Sequence, residues 1–408
     1  MASSKIRHEL RRARDAVELA LFTGAPAAGD EVRRALAKLA AENGSAETAR
    51  IDELARLAEG RGDRAAYRDR FGVAGVRRFE TAGGAAIYLL AVETFPDHVN
   101  NIYLVRDHGR VTLYDCGSQT PSTQEELRRA ALILKQVFAE RAGFDDVSDV
   151  VISHAHIDHF GGVGAWHGRA RIWAHEFDAR VVSRFEERIV TVAMQLRVFL
   201  ERAGLDAPTR AELEQMYVFT KQLFISVPVD RAIADGAEVN GFPVHHAPGH
   251  CPGQICLQVH NVLLTADHVL PRITPHQSPE SITPWTGLDH YLLSLEKFRR
   301  IGGVDLALPG HEEPIPRLAQ RIVEIETFHR ARLEKVRALC AEPKTIAELA
   351  EALFGEQRGY GRLLALEEAA AHAEYLARRG ALEMANLEEM MHAANPVVRY
   401  RAARVQLS

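Results

Sequence analysis

The chain has 408 residues, of which 47% are apolar and 26% charged, and its formal net charge is −5. This length predicts two or three domains, and the composition is ordinary for a globular protein. The acidic balance argues against nucleic-acid binding through overall charge, and no stretch reaches the roughly 18 apolar residues that a membrane span needs.

The first residues carry charge without the apolar run of a secretion signal, so we expect a cytoplasmic protein. Residues 1–75 are predicted to form an N-terminal helical segment, because apolar residues recur at helical spacing. Oligomerisation, domain packing and control of access to a site all remain open as its role. The pattern then changes to short strands, predicted at Ile87–Leu90, Asn101–Val105 and Val111–Tyr114.

The segment Val-Ile-Ser-His-Ala-His-Ile-Asp-His-Phe-Gly-Gly, residues 151–162, is the most informative part of the chain. It places His154, His156, Asp158 and His159 within six positions, directly after an apolar run. Buried polar groups need partners, and a bound metal ion would supply them. This density of imidazole and carboxylate therefore predicts a metal site.

A stretch at about residues 176–226 is dense in Arg, Glu, Leu, Val and Phe and has no glycine before Gly204. It is predicted to form two helices joined around 204–208. Their apolar faces have two interpretations: packing on the strand-rich part of the chain, which we favour, or forming a cap over the predicted metal site. The segment Pro271–Trp285, with Thr274, His276 and Ser278, is a second candidate for substrate contact.

Three further apolar stretches end in a residue that can bind a metal: His250, Asp267 and His311. Imidazole and carboxylate ligands without cysteine suit Zn²⁺ and tolerate iron or manganese. The nearby His246 and His268 are interpreted as neighbours of the ligand loops, and His175 and His290 as structural or surface residues.

The cysteines make neither a metal-binding spacing nor a disulfide framework, and we expect small buried residues in a reducing compartment. Cys251 adjoins His250 in sequence, but a catalytic role for it is not favoured. The four are Cys116, Cys251, Cys256 and Cys340.

Residues 326–408 are predicted to be a winged-helix-like C-terminal domain, with helices at His329–Cys340, Ile346–Phe354 and Leu363–Arg379 followed by a short strand. Thr345 is the expected N-cap of the second helix. Residues 328–408 contain about as many basic as acidic residues. A packing or dimer role is therefore favoured over nucleic-acid contact.

The motif His-x-His-x-Asp-His, followed by the later His, Asp and His, resembles the hallmark of the metallo-β-lactamase superfamily. The likeness spans about residues 85–320, within a predicted catalytic domain at 76–325. It implies an α/β fold, an αββα sandwich with the metal site at one edge. It also implies that His154, His156 and His250 bind one ion, that Asp158, His159 and His311 bind a second, and that Asp267 bridges them.

Asp115 resembles the family's first motif and would orient the metal-bearing loop through hydrogen bonds. Flavodiiron relatives carry an acidic residue where this chain has His156, which argues against an oxygen-reducing enzyme. Persulfide dioxygenases of the superfamily bind a single iron, whereas the ligands of both ions are present here. A hydrolase with two Zn²⁺ ions is the favoured interpretation.

Such a site would hold a hydroxide between the ions, which would attack a polarised carbonyl or phosphorus. Asp158 would bind metal and could also transfer a proton. The favoured substrate is a thioester of the acyl-CoA or glutathione type, or a related small ester or lactone. The alternative is a phosphodiesterase acting on single-stranded RNA, as in the β-lactamase-like endoribonuclease branch.

Two further alternatives are weaker. A non-catalytic binding protein is disfavoured because the ligand set is complete, and a true β-lactamase because those enzymes are generally exported. We expect a small-molecule substrate as the partner, no membrane association, and leave a homodimer open.

Overall fold

The computed structural model describes residues 2–23, 45–141, 143–221, 224–393 and 396–403. Contacts divide the chain into two compact units. The first comprises Met1–Val151 and Asp158–Arg171, and the second comprises Ile152–Ile157 and Ile172–Ser408. The predicted boundaries of three domains, at 1–75, 76–325 and 326–408, stay a prediction.

The described residues of the first unit begin with three helices, α1 (Ala2–Thr23), α2 (Ser45–Ala58) and α3 (Arg64–Phe71). Their buried side chains form a small core of Val17, Ile51, Leu54, Leu57 and Tyr67. The helical prediction for this segment holds for the described residues, and its residues 24–44 lie outside them.

Five strands of the first unit pair in chain order. They are β1 (Val76–Glu80), β2 (Ala86–Phe95), β3 (His98–Asp107), β4 (Arg110–Tyr114) and β5 (Val147–Val151). Neighbours are antiparallel up to β4, whereas β4 and β5 are parallel and connected through α4 (Pro121–Gln136). The residues after β4 and after β5 therefore emerge at the same sheet edge, where the Asp115 amide donates to Val151 O at 2.9 Å.

Short helical turns complete this part of the chain: two 3₁₀ turns, Phe144–Asp146 and Val163–Ala165, and α5 (Ile157–Phe160). The strands predicted from the sequence are confirmed, and β2 and β3 extend several residues further than the apolar runs suggested.

Strand β6 (Arg171–His175), which belongs to the second unit from Ile172 onward, pairs in parallel with β7 (Arg231–Ile233) through Trp173–His175. A separate sheet has the order β12-β11-β10-β9-β8. Its strands are β8 (Glu238–Val239), β9 (Phe242–His246), β10 (Ile255–Val259), β11 (Val262–Ala266) and β12 (Leu306–Pro309), with α9 (Leu288–Arg299) between the last two.

The register of this sheet positions candidate ligands. Strand β10 is antiparallel to both β9 and β11, and β11 is parallel to β12, so β9, β11 and β12 all run in one direction. Their carboxyl ends therefore meet at one edge. His250, Asp267 and His311 each follow one of these strands within a few residues.

The described residues of the segment 176–226 form three helices, α6 (Glu176–Ser183), α7 (Phe185–Arg202) and α8 (Ala207–Lys221), so the prediction of two was wrong. The extra break falls at Arg184, whose φ of −141° and ψ of 53° are not helical. The break near Gly204 is confirmed. Apolar residues of α7 and α8 share one core with the C-terminal helices, including Leu196, Leu200 and Leu213 against Leu349 and Leu366.

The C-terminal part contains α10 (Leu318–Leu339), α11 (Ile346–Phe354), α12 (Tyr360–Arg378), β13 (Leu382–Met384), α13 (Leu387–His392) and β14 (Tyr400–Ala402). Thr345 caps α11 in a capping box with Glu348, as expected. The predicted start of the first helix at His329 was wrong, because α10 begins at Leu318. Strands β13 and β14 are antiparallel, and Lys344 forms a bridge with Tyr400.

Among the residues that the structure describes, no helix combines the length and apolar character needed to cross a membrane.

Candidate metal centre

Three imidazole rings of the second unit converge. His154 Nε2 lies 2.9 Å from His156 Nδ1, and His250 Nε2 lies 3.0 Å from the same atom. A neutral His156 ring carries at most one hydrogen on Nδ1, and one hydrogen cannot form good hydrogen bonds with both Nε2 atoms. A cation can accept all three lone pairs, and zinc–nitrogen bonds of about 2.0–2.1 Å place tetrahedral ligands only slightly further apart, at roughly 3.3 Å. The donor set therefore fits a divalent metal ion.

The outer ring nitrogens of this cluster are held by polar neighbours. His154 Nδ1 lies 2.9 Å from Ser153 Oγ, and His250 Nδ1 lies 2.8 Å from the carbonyl oxygen of His276. Because that carbonyl can only accept, His250 carries its proton on Nδ1 and presents the lone pair of Nε2 to the cluster. A hydrogen bond of this kind is what orients histidine ligands of metals.

Asp178 holds together the two loops that carry these histidines. Its carboxylate accepts the amide of Ala155 at 2.8 Å, between His154 and His156, and the amide of Gly253 at 2.9 Å, after His250. Burial raises the pKa of Asp178, and the hydrogen bonds that it accepts oppose that shift. Nothing in the local sequence around Asp178 indicated this function.

Asp267 and His311 belong to the same unit, and both are buried. Asp267 Oδ2 lies 3.3 Å from His311 Nε2 and 3.7 Å from His250 Nε2. The carboxylate therefore lies near both histidines, as a bridging ligand requires.

Asp158 and His159 belong to the first unit. His159 Nδ1 lies 2.8 Å from Asp115 Oδ2, and the side chains of His159 and Asp115 are buried. Asp115 has a φ of 63°, in the left-handed region that aspartate tolerates better than most residues. Asp115 thus accepts a hydrogen bond from the loop that carries the candidate ligands, as expected, and this contact orients the His159 ring.

Two residues that the sequence reasoning missed contact this pair. Asn100 Nδ2 donates to Asp158 Oδ2 at 3.0 Å and lies 3.2 Å from His159 Nε2, while His98 Nε2 lies 3.0 Å from Asp158 Oδ2. A signal existed, because Asn100 and Asn101 interrupt an apolar strand, and both are buried. Buried amides in a strand need specific partners.

The remaining histidines near the ligand loops have structural contacts. His175 stacks on His246 with ring centres 3.8 Å apart, and burial lowers the pKa of His175 to about 4. His268 is fully buried against Phe298, and burial lowers its pKa to about 3. His290 lies 3.1 Å from the carboxylate of Glu280.

All four cysteines are buried, as expected. Cys251 donates to Asp178 at 3.3 Å, and burial raises the pKa of its thiol well above the usual value. A thiol that stays protonated is a poor nucleophile, so this geometry agrees with the structural interpretation of Cys251.

Residues 96–311, more than half of the chain, match the family model described as the metallo-beta-lactamase superfamily. The chain belongs to this superfamily. It is similar to the probable metallo-hydrolase YqjP of Bacillus subtilis (strain 168), with 26% identity over 286 residues, 67% of this chain and 86% of the relative.

Two solved structures are also similar. A metallo-beta-lactamase family protein from Thermus thermophilus has 29% identity and a TM-score of 0.62, covering 78% of this chain and 98% of that one. A beta-lactamase domain protein from Burkholderia ambifaria has 26% identity and a TM-score of 0.65, covering 80% and 94%.

These findings confirm the α/β fold class and the superfamily predicted from the histidine motif. The chain is a metal-dependent hydrolase with candidate histidine and aspartate ligands.

Proposed function

We propose that the protein hydrolyses a small thioester, of the acyl-CoA or glutathione type, with two Zn²⁺ ions. His154, His156 and His250 would hold one ion, Asp158, His159 and His311 the other, and Asp267 both. When bound, the ions would polarise the carbonyl and lower the pKa of a water molecule towards about 7. One observation supports metal-dependent hydrolysis: Nε2 of His154 and Nε2 of His250 lie 2.9 and 3.0 Å from Nδ1 of His156.

The chain's own residues supply orientation and proton transfer. Asp115 fixes the His159 ring, and Asn100 and His98 fix the Asp158 carboxylate. A carboxylate held by two donors keeps its position while it exchanges a proton with a leaving thiolate or an incoming water. We propose that Asp158 has this second role.

Electrostatics favour a small substrate over RNA. The whole chain is acidic, with a net charge of −5. Several arginines near the C terminus already lie in ion pairs, which weakens any field for phosphate groups. The pairs are Arg332–Glu368, Arg358–Glu356, Arg378–Glu280, Arg379–Asp289 and Arg401–Glu383.

One observation favours the second candidate, cleavage of single-stranded RNA. Helices α10, α11 and α12 are followed by antiparallel β13 and β14, and Lys344 before α11 bridges to β14. This order of elements is typical of a winged helix, a module that often binds nucleic acid. We propose a packing role for it here, because its helices share a core with α7 and α8.

The test is thiol release from a panel of acyl-CoA and glutathione thioesters by the zinc-loaded full chain. Single-stranded RNA is assayed beside it, and Asp158→Ala serves as the matched blank for both. Thiol release that the variant loses supports the proposal. RNA cleavage without thiol release contradicts the proposal and would indicate that the C-terminal helices bind RNA.

A further inference from the structure

The loop 271–285 contacts a candidate metal ligand through its backbone. His250 donates its Nδ1 proton to the carbonyl oxygen of His276 at 2.8 Å. The orientation of the His250 ring therefore depends on where residue 276 lies. Residues 271–285 form neither helix nor strand, so this position must be fixed by contacts outside the loop.

Two adjacent carboxylates of α12 provide those contacts. Glu367 Oε2 accepts from His276 Nε2 at 2.9 Å, and Glu368 Oε2 accepts from the amide of Gln277 at 2.8 Å. Glu368 Oε2 also lies 3.5 Å from His276 Nδ1. Adjacent residues of α12 thus hold both the side chain of His276 and the peptide bond between His276 and Gln277.

The carboxylates are themselves held. Arg332 of α10 donates to Glu368 Oε1 at 2.5 Å, and Glu368 is only 6% exposed. The neighbouring Leu366 and Ala369 lie in the core formed with α7, α8 and α11. Helix α12 is therefore held in place and can fix the position of the loop 271–285. Arg321 of α10 also holds this loop, by donating to the carbonyl oxygen of Ile273 at 2.9 Å.

We propose that Glu367 and Glu368 are positioning residues that orient His250 toward its metal through His276. The C-terminal helices would then contribute to the metal centre without touching metal or substrate. This inference rests on His250 as a metal ligand and is independent of the thioester proposal. Without the two carboxylates, the His276 carbonyl could move and the His250 ring could rotate away from the cluster.

The test uses full-length protein loaded with Co²⁺, whose visible absorption reports ligand geometry in the absence of any substrate. Glu367→Gln and Glu368→Gln keep the side-chain shape and remove the charge. We expect a shifted cobalt band and a metal affinity about 10- to 100-fold lower, measured by competition with a chelator. Failure of the thioester assay would not affect either readout.

Glu374→Gln is the matched control. Glu374 lies on the same helix and accepts from the amide of Ser281 in the same loop at 3.4 Å. It should keep the wild-type band and affinity. An equal loss in this variant would show general loosening of the loop and overturn the proposal.

A second pair of variants guards against misfolding of the glutamine variants. His276→Gln retains a donor toward Glu367 and should behave as wild type, whereas His276→Ala should reproduce the lower affinity. Wild-type band and affinity in both Glu367→Gln and His276→Ala would overturn the positioning role.

Discussion

A Cβ atom added to Gly253 would lie 2.4 Å from Cγ of Asp178. The two residues fit together only because position 253 has no side chain. This close approach lets one carboxylate hold the loop of His154 and His156 and the loop of His250 at the same time.

We therefore expect Asp178→Ala to loosen the three-histidine cluster. The amides of the half-buried Ala155 and the buried Gly253 would lose their acceptor, and a buried group left unsatisfied costs about 1–3 kcal/mol. Zinc affinity should fall about 10- to 100-fold, as for other residues that orient metal ligands. Denaturant unfolding and zinc competition measure the two effects. Glu296→Ala, which removes a half-exposed carboxylate of α9 that pairs with the exposed Arg300, should change neither by a comparable amount. An unaltered zinc affinity in Asp178→Ala would refute this role.

Removing single ligands should separate the two ions. His156→Ala is expected to lose the first ion and Asp158→Ala the second, each with loss of turnover and a folded chain. Elemental analysis of metal per chain and circular dichroism measure these outcomes. Full metal content and activity in both variants would contradict the assignment.

The sequence alone indicates the candidate ligands but not the residues that support them. The hexapeptide His154–His159 and the later strand ends are local patterns, so the candidate ligands and the strands before them could be predicted. Asp178 and Glu367 contact residues that lie far from them in the chain, and no spacing rule connects either of them to a histidine motif. Asn100 is an intermediate case, because an amide side chain within an otherwise apolar strand is visible in the sequence.

The segment 176–226 could be predicted only in part, for a related reason. Many of its apolar residues lie on buried faces, as predicted, but a periodic pattern does not show which other element packs against such a face. The structure shows that α7 and α8 pack with the C-terminal helices. Two other apolar residues of these helices, Met194 and Phe219, are 64% and 69% exposed.

Asp115 should affect turnover through His159. Asp115→Asn keeps the shape and tolerates the positive φ, but it replaces a charged acceptor with a neutral one. We expect kcat to fall about tenfold, with a smaller change in KM, because the ring would be held less firmly. Steady-state kinetics provide the measurement. Asp145→Asn, at a fully exposed position of the same unit, is the control, and equal kinetics for the two variants would rule out the orienting role.

His175 should make the fold sensitive to acid. Burial, and secondarily His246, lower its pKa from 6.5 to about 4 in the folded chain. The unfolded chain then binds more protons between these values, so the stabilisation is complete above pH 6.5 and decreases as the pH falls toward 4. Between pH 7 and pH 5, this linkage amounts to about 2 kcal/mol for a buried ring.

The measurement is the free energy of unfolding of metal-free protein at the two pH values, which avoids the separate effect of acid on metal binding. His175→Gln should lose less stability on acidification than wild type. Parallel losses in the two proteins would assign the acid sensitivity to other groups.

The hydrogen bonds of Arg321 limit how far this chain can be shortened. Its guanidinium, on α10, donates to the carbonyl oxygens of Leu270 and Ile273. An expression fragment that stops at the end of the family match, before α10, would leave both carbonyls without this donor. A minimal catalytic core of this protein should therefore retain its last helices, and grafting a different tail would require a cation at the same place.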